Sequence, residues 1–370
     1  IKFMRAVFTG GGTGGHIYPA IAIASKIEKN DKQAKILFIG TKSGLESDIV
    51  PKAGFDIETI TVSYLKRKIS IHNLKSAGML LKGLWEARKI IRRFKPDIVV
   101  GTGGFVCGPI VFMAARMGIP TIIHEQNVFP GITNKILSNF VDKVAISFNE
   151  ASKYFKRKDK LVLTGNPIRD DFFHVSPEEA EKRYVTTKEM PLVMIVGGSG
   201  GSIRINETVT DMMIKYPNKS FAILLVTGKR HHSKIMAEIS QHGIDMTNDR
   251  VLPYIDDMPL ALKACDLIIC SAGAITITEI NAIGKPSILI PKAYTAENHQ
   301  EYNAMAMQKR GAAVVIKEND LTGEVLYKNI GEILNNKNKL ETMERCSRNI
   351  SKKSASDLIY NEIIGLIKNK

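Results

Sequence analysis

A glycine-rich segment that ends in a histidine is the first feature of this sequence able to carry chemistry. Residues 8–20 read FTGGGTGGHIYPA, with glycine at five of the six positions 10–15 and His16 directly after them. Glycine lets backbone N–H groups approach a phosphate, and the N-terminus of a following helix favours negative charge. Because imidazole titrates near neutral pH, His16 is a candidate general base. A cap on the helix, or a hydrogen bond to a phosphate oxygen, is the alternative role.

Two segments of the second half predict a site for a nucleotide diphosphate. Residues 197–202 (GGSGGS) offer backbone N–H groups and Ser199 to a phosphate. Residues 271–279 (SAGAITITE) place Ala274, Ile275 and Thr276 at a predicted helix start, with Glu279 a turn further on to accept two ribose hydroxyls. Taken singly, Ser199 also suits a helix N-cap and Glu279 a complement to the helix dipole.

The first glycines also match the dinucleotide-binding pattern G-x-G-x-x-G, at Gly10, Gly12 and Gly15. That interpretation requires an acidic side chain at the end of the second strand, to hold the ribose. Residues 35–44 (KILFIGTKSG) supply no acid there. A nicotinamide cofactor is therefore not predicted.

The elements that position these residues are predicted from the pattern of the whole chain. Short β-branched runs alternate with helical patterns, which is typical of parallel β-α-β units. Motifs of the first half recur in order in the second: MRAVFTGGGTGGH with PLVMIVGGSGGS, KPDIVVGTGGF with ACDLIICSAGA, and GIPTIIHEQN with GKPSILIPKA. The predicted strands are 4–9, 35–40, 97–101, 120–124, 144–147 and 161–164, then 192–196, 222–227, 250–252, 267–270, 286–290 and 313–316. We predict an α/β protein of two Rossmann-like domains.

The domain boundary is predicted in the turn-rich stretch 164–171 (TGNPIRDD), where a proline biases the preceding residue to an extended conformation. Residues 1–166 form the predicted first domain and residues 167–350 the second. Residues 351–370 are predicted to be a further helix. Ligands of open parallel sheets bind outside the carboxyl ends of the strands, so we expect both sheets to face a central cleft.

Composition limits the partners. Lys and Arg outnumber Asp and Glu by 52 to 37, a net charge of +15, which indicates an anionic partner such as nucleic acid, an acidic membrane face or a phosphate-rich substrate. No nucleic-acid-binding motif accompanies the charge, so no nucleic-acid partner is predicted. The four cysteines have no CxxC spacing, and neither a metal site nor a disulfide framework is predicted. With no leader-like or membrane-spanning segment, a soluble or peripheral protein is expected.

Residues 73–95 (NLKSAGMLLKGLWEARKIIRRFK) predict an amphipathic helix. Its candidate membrane-facing side chains are Leu80, Leu81, Leu84, Trp85, Arg88, Arg92 and Arg93. An apolar patch beside basic side chains suits an anionic membrane face, and residues 64–68 (YLKRK) would add charge. Burial of the apolar stripe in its own domain is the alternative.

An ordered set of motifs covers the chain to about residue 304: GGTGGHIYPA, GGFVCGP, HEQN, GNPIR, GGSGGS, YIDDM, GAITITE and NHQEYNA. Together they resemble the MurG family, the lipid II-forming N-acetylglucosaminyltransferases of bacterial cell-wall synthesis. The resemblance implies the GT-B fold, UDP-GlcNAc as donor and the C4 hydroxyl of the MurNAc of lipid I as acceptor, with inversion at the anomeric carbon. It also implies a part in peptidoglycan synthesis, cell shape and cell division on the cytoplasmic side of the cell membrane, with no cofactor. In this family pattern residues 1–166 would bind the acceptor and associate with the membrane, residues 167–350 would bind UDP-GlcNAc, and the helix at residues 351–370 would return to the first domain.

The resemblance assigns roles to individual residues. For the donor these are the backbone of Ile255 at uracil, Glu279 at the ribose, Ser199, Arg169 and Ala274 to Thr276 at the diphosphate, with Ile277 and Thr278 completing that segment, and Asn127 and Gln300 at the sugar, near Thr13, Gly14 and Gly15. For the acceptor diphosphate they are Gly11, Gly12, Gly103 and Gly104. Ser202, Ser271 and His299 depart from the family pattern.

Displacement of UDP from an anomeric carbon requires specific groups in the active site. Oxocarbenium character builds up on the sugar while negative charge grows on the departing UDP, so donors to the diphosphate and a base for the acceptor hydroxyl are needed. Helix N-termini, Arg169 and Ser199 would replace a metal ion, since the sequence has no Asp-x-Asp pair. His124 and Glu125 are a second candidate pair for the base. A UDP-GlcNAc 2-epimerase-like enzyme of the same fold is the alternative function, which would need no lipid acceptor.

Overall fold

The computed structural model describes residues 3–63, 71–198, 200–294, 298–351 and 355–369, and of residues 71–77 the backbone only. The chain divides into two compact units. Unit 1 comprises Ile1–Ile168 and Ser354–Lys370, and unit 2 comprises Arg169–Lys353. Among the described residues, no helix combines the length and the apolar character needed to cross a bilayer.

Unit 1 is built on a sheet of seven parallel strands in the order β3-β2-β1-β4-β5-β6-β7. The strands are β1 (Arg5–Gly10), β2 (Lys35–Gly40), β3 (Asp56–Thr59), β4 (Ile98–Gly103), β5 (Thr121–Glu125), β6 (Lys143–Ile146) and β7 (Leu161–Leu163). The helices are α1 (Gly14–Asn30), α2 (Glu46–Lys52), α3 (Ile71–Phe94), α4 (Cys107–Arg116), α5 (Ile132–Leu137) and, last in the chain, α14 (Ala355–Lys368).

Buried side chains alternate between the two faces of this sheet, as parallel sheets covered on both sides require. Val7 and Val99 belong to the cluster that includes residues of α3 and α4. Phe8 and Val100 belong to the cluster on the other face, together with residues of α1 and with Ile359 of α14. The last helix of the chain is thus part of the core of unit 1.

Unit 2 repeats the architecture with six parallel strands in the order β10-β9-β8-β11-β12-β13. The strands are β8 (Leu192–Val196), β9 (Ala222–Val226), β10 (Arg250–Leu252), β11 (Leu267–Cys270), β12 (Ser287–Leu289) and β13 (Ala313–Val315). The helices are α6 (Pro177–Tyr184), α7 (Ile203–Lys215), α8 (His232–Gln241), α9 (Met258–Ala264), α10 (Ala274–Ile283), α11 (His299–Lys309), α12 (Gly323–Leu334) and α13 (Lys337–Ile350).

The prediction of two Rossmann-like, parallel-sheet domains is confirmed. All twelve predicted strands are present, four with the predicted bounds and eight with ends shifted by one or two residues. One strand of unit 1, β3, was not predicted. Its sequence is DIET, and it lies at the edge of the sheet with two exposed and two partly buried residues. An edge strand needs no continuous apolar run, so its pattern carries little signal.

Candidate active site

The strand order of each sheet reverses beside its first strand, which opens a crevice at the carboxyl ends of two neighbouring strands. In unit 1 these strands are β1 and β4, and in unit 2 they are β8 and β11. The glycine-rich segments directly follow these strands, at residues 10–16, 103–104, 197–202 and 271–274. Each unit therefore has its candidate ligand loops where open α/β sheets bind ligands.

The two glycine-rich loops of unit 1 pack backbone against backbone. A Cβ atom on Gly10 would lie 1.9 Å from Thr102 Oγ1, and one on Gly104 would lie 2.3 Å from the carbonyl oxygen of Gly11. The Gly11 N–H donates to the carbonyl oxygen of Gly103 at 3.3 Å. These glycines bring the loops together, and the Gly11 amide is bonded inside the protein. The geometry therefore argues against its predicted role at the acceptor diphosphate.

The buried carboxylate of Glu46, at the start of α2, holds the first glycine-rich loop through a hydrogen bond. Its Oε2 accepts the N–H of Gly12 at 3.1 Å, and its Oε1 accepts the N–H and the hydroxyl of Thr41 at 2.9 and 2.6 Å. Cβ atoms on Gly40 and Gly44 would come within 2.5 and 2.2 Å of the Glu46 side chain. The Gly12 amide is thus also occupied, which argues against its predicted contact with the diphosphate.

The outer part of the loop is formed by Thr13, Gly14 and Gly15. Thr13 and Gly15 are exposed. A Cβ atom on Gly15 would meet only Thr13 Oγ1, at 3.6 Å, so packing within the described residues does not require glycine there. This part of the loop leaves room for an external group to approach the backbone.

His16 is partly buried in the first turn of α1. Its Nδ1 lies 3.0 Å from the carbonyl oxygen of Gly11 and 3.4 Å from Thr13 Oγ1. The hydroxyl of Thr102 donates to the His16 carbonyl oxygen at 2.7 Å. A Cβ atom on Gly103 would lie 2.8 Å from Cδ2 of the ring, so the second loop packs directly against the imidazole. Both loops therefore fix the position of this side chain.

His124, at the end of β5, is fully buried and unsuited to act as a base. Burial lowers the pKa of His124 to about 4, although the hydrogen bond to the Gly165 carbonyl opposes this shift. Its Nε2 donates to that oxygen at 3.0 Å, and its Nδ1 lies 3.0 Å from Nε2 of Gln126. Both ring nitrogens are engaged in the core, so His124 holds neighbouring backbone in place.

Glu125 is buried and shapes the loop that follows β5. Its Oε1 accepts the backbone N–H of Asn127 at 2.9 Å and the side-chain amide of the same residue at 3.2 Å. Its Oε2 accepts the N–H of Gly131 at 3.1 Å and the side-chain amide of Asn134 at 2.8 Å. With both oxygens holding this loop, the geometry favours a positioning role over the predicted role as a base. It also sets the orientation of Asn127, the predicted sugar ligand.

In unit 2 the loop at residues 197–202 packs against its own backbone and against the residue that follows β9. A Cβ atom on Gly197 would lie 2.3 Å from the nitrogen of Ser202, and one on Gly201 would lie 2.2 Å from the carbonyl oxygen of Thr227. Ser202 caps α7, since its hydroxyl accepts the N–H of Ile205 at 3.4 Å. Ser199 lies outside the described residues.

The first turn of α10 presents backbone amides in the crevice of unit 2. The helix begins at Ala274, so the N–H groups of Ala274 to Thr276 have no carbonyl partner within the helix. The N–H of Ile277 donates to the Gly273 carbonyl at 2.9 Å, and the Thr278 hydroxyl donates to the Ala274 carbonyl at 2.9 Å. The geometry therefore supports residues 274–276 at the diphosphate and argues against the Ile277 amide and the Thr278 hydroxyl.

Glu279 follows on the next turn of α10 and is partly buried. Burial raises its pKa to about 7, the positive charge of Arg169 lowers it, and the negative charge of Asp171 raises it further. Arg169 also pairs with Asp171 at 3.3 Å, and its guanidinium lies over the ring of Phe172, 5.5 Å from the centroid. The charges of Arg169 and Glu279 are thus close enough to interact.

Ile255, the predicted uracil contact, is buried in the segment between β10 and α9. The end of this segment is clamped by α6, because the Tyr184 hydroxyl donates to Asp257 and Arg183 pairs with the same carboxylate at 2.7 Å. Burial and the hydrogen bond to Asp257 raise the pKa of Tyr184 to about 12, so this hydroxyl remains a donor at neutral pH.

Gln300 stands in the first turn of α11, and its Oε1 accepts the N–H of Lys292 at 3.0 Å. The segment after β12 therefore orients this predicted sugar ligand. Lys292 and Glu46, which contact predicted site residues, were not predicted from the sequence. Among the described residues, no group of three or more His, Cys, Asp or Glu side chains is arranged to hold a metal ion.

Comparison with known proteins agrees with this architecture. Residues 6–146 match the glycosyltransferase family 28 N-terminal domain and residues 192–359 match the glycosyltransferase family 28 C-terminal domain. A protein of Alkaliphilus oremlandii (strain OhILAs), named UDP-N-acetylglucosamine--N-acetylmuramyl-(pentapeptide) pyrophosphoryl-undecaprenol N-acetylglucosamine transferase, is 58% identical over 99% of this chain and 100% of its own length. A relative of the same name from Clostridioides difficile (strain 630) is 48% identical over 98% of this chain and 88% of its own.

Solved structures show the same fold. The crystal structure of Acinetobacter baumannii MurG has a TM-score of 0.78 and 27% identity, covering 98% of this chain and 99% of that one. The UDP-GlcNAc 2-epimerase from Neisseria meningitidis, bound to UDP-GlcNAc, has a TM-score of 0.70 but 13% identity, over 98% of this chain and 100% of that one. The second likeness is one of fold alone.

These findings define the class of protein first: a glycosyltransferase of the GT-B fold, whose two units each carry a Rossmann-type parallel sheet. Within glycosyltransferase family 28, the chain belongs to the MurG family of N-acetylglucosamine transferases.

Proposed function

We infer that this chain is an inverting glycosyltransferase that moves N-acetylglucosamine from UDP-GlcNAc to the C4 hydroxyl of the MurNAc of lipid I, giving lipid II for peptidoglycan synthesis. The observation that carries this inference is the 58% identity over 99% of the chain to a transferase of that name. The crevice of unit 2, with the amides of residues 274–276, Arg169 and Glu279, supports it as the donor site.

In the proposed reaction the acceptor oxygen bonds to C1 of the sugar while the bond from C1 to the β-phosphate oxygen breaks. The electron pair of that bond stays on UDP, where the helix N-terminus of α10 and Arg169 stabilise the growing negative charge. His16 takes the proton of the acceptor hydroxyl on Nε2, since Nδ1 donates to Gly11. The expected reaction needs no metal ion.

Transfer of radiolabel from UDP-GlcNAc to a lipid I analogue tests this function. We expect a labelled lipid product, formed equally with and without a chelator. Incubation with UDP-GlcNAc alone separates the alternative, because a 2-epimerase would convert the nucleotide sugar without an acceptor. Absence of labelled lipid, or epimerisation without acceptor, contradicts the proposed transfer.

A second part of the proposal is that α3 attaches the enzyme to an anionic membrane face. Leu81 and Trp85 stand one helical turn apart with 70% and 64% of their surface exposed. The opposite side of the same helix, which includes Ala87 and Ile91, is buried in the core of unit 1. The alternative of a wholly buried apolar stripe thus holds for one side of α3 and not for the other.

The charges around this surface differ in what they can contribute. Arg88 and Arg92 are exposed, whereas Arg93 binds the carboxylate of Glu58 and so is partly neutralised. Lys89 lies over the Trp85 ring, with Nζ 5.7 Å from the centroid. Leu80 is exposed and Leu84 partly buried. Residues 64–68 lie outside the described residues.

Vesicle flotation tests the attachment. Trp85→Glu and Arg92→Glu should each reduce binding to vesicles that contain phosphatidylglycerol, since a basic side chain near an anionic surface contributes about 1 kcal/mol. Lys32→Glu is the matched control for the charge change, because Lys32 is exposed in the turn before β2 and does not belong to α3. Equal flotation of the Arg92 and Lys32 variants, or equal binding to neutral vesicles, would refute attachment through α3.

A further inference from the structure

We propose that Lys292 is a cationic ligand of the β-phosphate of the donor, and that it stabilises the leaving UDP. The proposal rests on the inferred use of UDP-GlcNAc and adds to it a residue that neither the motifs nor the family resemblance singled out. The proposal is based on the position of the Lys292 ammonium group beside the crevice of unit 2.

The first observation is the path of the side chain. Lys292 follows β12, and its Nζ lies 3.4 Å from the carbonyl oxygen of Gly201, in the loop after β8. Because β11 lies between β8 and β12 in the sheet, the segment after β12 and the Lys292 side chain together span the carboxyl end of β11 to make this contact. The ammonium therefore lies at the loop of residues 197–202, which flanks the crevice of unit 2.

The second observation is what the ammonium lacks. Lys292 is partly buried, and no carboxylate of the described residues forms an ion pair with it. Its hydrogen bond is to a neutral carbonyl oxygen. By contrast, Lys317, also in unit 2, pairs with Glu301 at 2.9 Å. A partly buried cation beside helix N-termini adds to the positive potential that an anionic ligand requires.

The third observation links Lys292 to the sugar. Its backbone N–H donates to Oε1 of Gln300 at 3.0 Å, and the next N–H, that of Ala293, donates to Glu318 at 2.9 Å. One short segment thus holds both the ammonium and the side chain predicted to bind the sugar. The β-phosphate is the group of the donor that adjoins the sugar, which favours it over the α-phosphate as the partner of Lys292.

The chemical role follows from where charge develops. When the bond between C1 and the β-phosphate oxygen breaks, its electron pair remains on that oxygen. A fixed ammonium there gains attraction as the bond lengthens, so it stabilises the transition state more than the bound donor.

Calorimetric titration of the full chain with UDP and with uridine tests the proposal, using Lys292→Met and Lys292→Arg. We expect Lys292→Met to weaken UDP binding about tenfold and to leave uridine binding unchanged, since a charge-assisted hydrogen bond to the phosphate is lost. Lys292→Arg should retain most of the affinity for UDP. Lys292→Met should lower kcat for transfer by at least the same factor of about ten. Lys309→Met, exposed at the end of α11 that leads into β13, is the matched control.

The outcomes separate the two inferences. Equal UDP affinity of wild type and Lys292→Met, in a chain that transfers GlcNAc, overturns the role of Lys292 alone. Parallel loss of UDP and uridine binding shows that the loop has collapsed, and it overturns the electrostatic role as well. If the wild-type chain binds no UDP and transfers no sugar, the proposed function fails and the role of Lys292 fails with it.

Discussion

The Nδ1 atom of His16 lies 3.0 Å from the carbonyl oxygen of Gly11. The glycine-rich loop therefore holds the imidazole of the residue that follows it through a hydrogen bond. A carbonyl oxygen only accepts hydrogen bonds, and the neutral ring therefore carries its proton on Nδ1 and its lone pair on Nε2. A carbonyl or carboxylate sets the tautomer of catalytic histidines in the same way, which is the tautomer that the proposed base requires.

Replacement of this side chain tests its role as the base. His16→Gln should lower kcat about 10²- to 10⁴-fold with UDP affinity unchanged, because proton transfer is lost while the donor site in unit 2 is intact. Steady-state kinetics with a lipid I analogue measures the first effect and calorimetry the second. His242→Gln, an exposed histidine after α8, is the control. A kcat within threefold of wild type would remove His16 as the base.

The raised pKa of Glu279 predicts opposite effects on stability and binding. Burial raises its pKa from 4.5 to about 7, so the folded chain retains a proton that the unfolded chain releases as the pH rises through this window. Stability is therefore lost between pH 4.5 and about 7. Glu279→Gln should match wild type at pH 4.5 and be more stable at about pH 8, by roughly 1 kcal/mol.

Urea unfolding at the two pH values measures this difference. UDP binding by the same variant should weaken at about pH 8, since the carboxylate that is predicted to accept the ribose hydroxyls is gone. A variant whose stability relative to wild type does not change with pH would show that Glu279 is ionised normally in the folded chain.

A buried ion pair predicts a large loss of stability in unit 2. Lys219 and Asp249 pair at 2.6 Å with side-chain exposures of 9% and 1%, and Asp249 also accepts the N–H of Ile223 at 2.8 Å. Lys219→Met leaves this carboxylate without its cation and should cost about 3–5 kcal/mol. Lys215→Met is the matched control, because its pair with Asp211 is exposed and should cost less than about 1 kcal/mol. Similar losses in the two variants would contradict the role of burial.

Glu46 is predicted to support the first loop rather than the fold as a whole. Glu46→Gln places an amide group against the N–H donors of Gly12 and Thr41, which should cost about 2 kcal/mol in unfolding free energy. It should also raise KM for the lipid acceptor more than KM for UDP-GlcNAc, since the loop belongs to unit 1, which is predicted to bind the acceptor, and only its outer residues 13–15 are predicted to lie near the donor sugar.

Asp48→Asn, an exposed change on the same helix, controls for the loss of one negative charge. An acceptor KM equal to that of wild type would show that the loop tolerates the loss of its anchor. Equal shifts in both KM values would show a general effect on folding.

Much of the architecture was predictable because parallel β-α-β units leave strong local patterns. The apolar runs of β1 and β8 and the glycines after them identify two copies of one arrangement. The edge strand β3 escaped because an exposed strand has no apolar run to reveal it.

At the site, residue types were easier to predict than residue functions. The glycines at 10–12 and 103–104 pointed to a phosphate, yet Gly10 and Gly104 are required by contacts between the two segments, and Gly11 is required by the Glu46 side chain. Glu46 was missed because the dinucleotide pattern places its acid directly at the end of β2, whereas this carboxylate turns back from the start of α2. Lys292 was missed because its neighbours in space lie far away in sequence.

By itself the sequence determined the two parallel-sheet domains, the position of the ligand loops and the candidate side chains, because strand periodicity and glycine spacing are local properties. Only the tertiary structure decided which groups are already engaged. It committed the Gly11 and Gly12 amides and the side chains of His124 and Glu125 to internal hydrogen bonds, and it brought the Lys292 ammonium to Gly201. Hydrogen bonding and burial depend on which distant segments meet, and the sequence pattern does not contain that information.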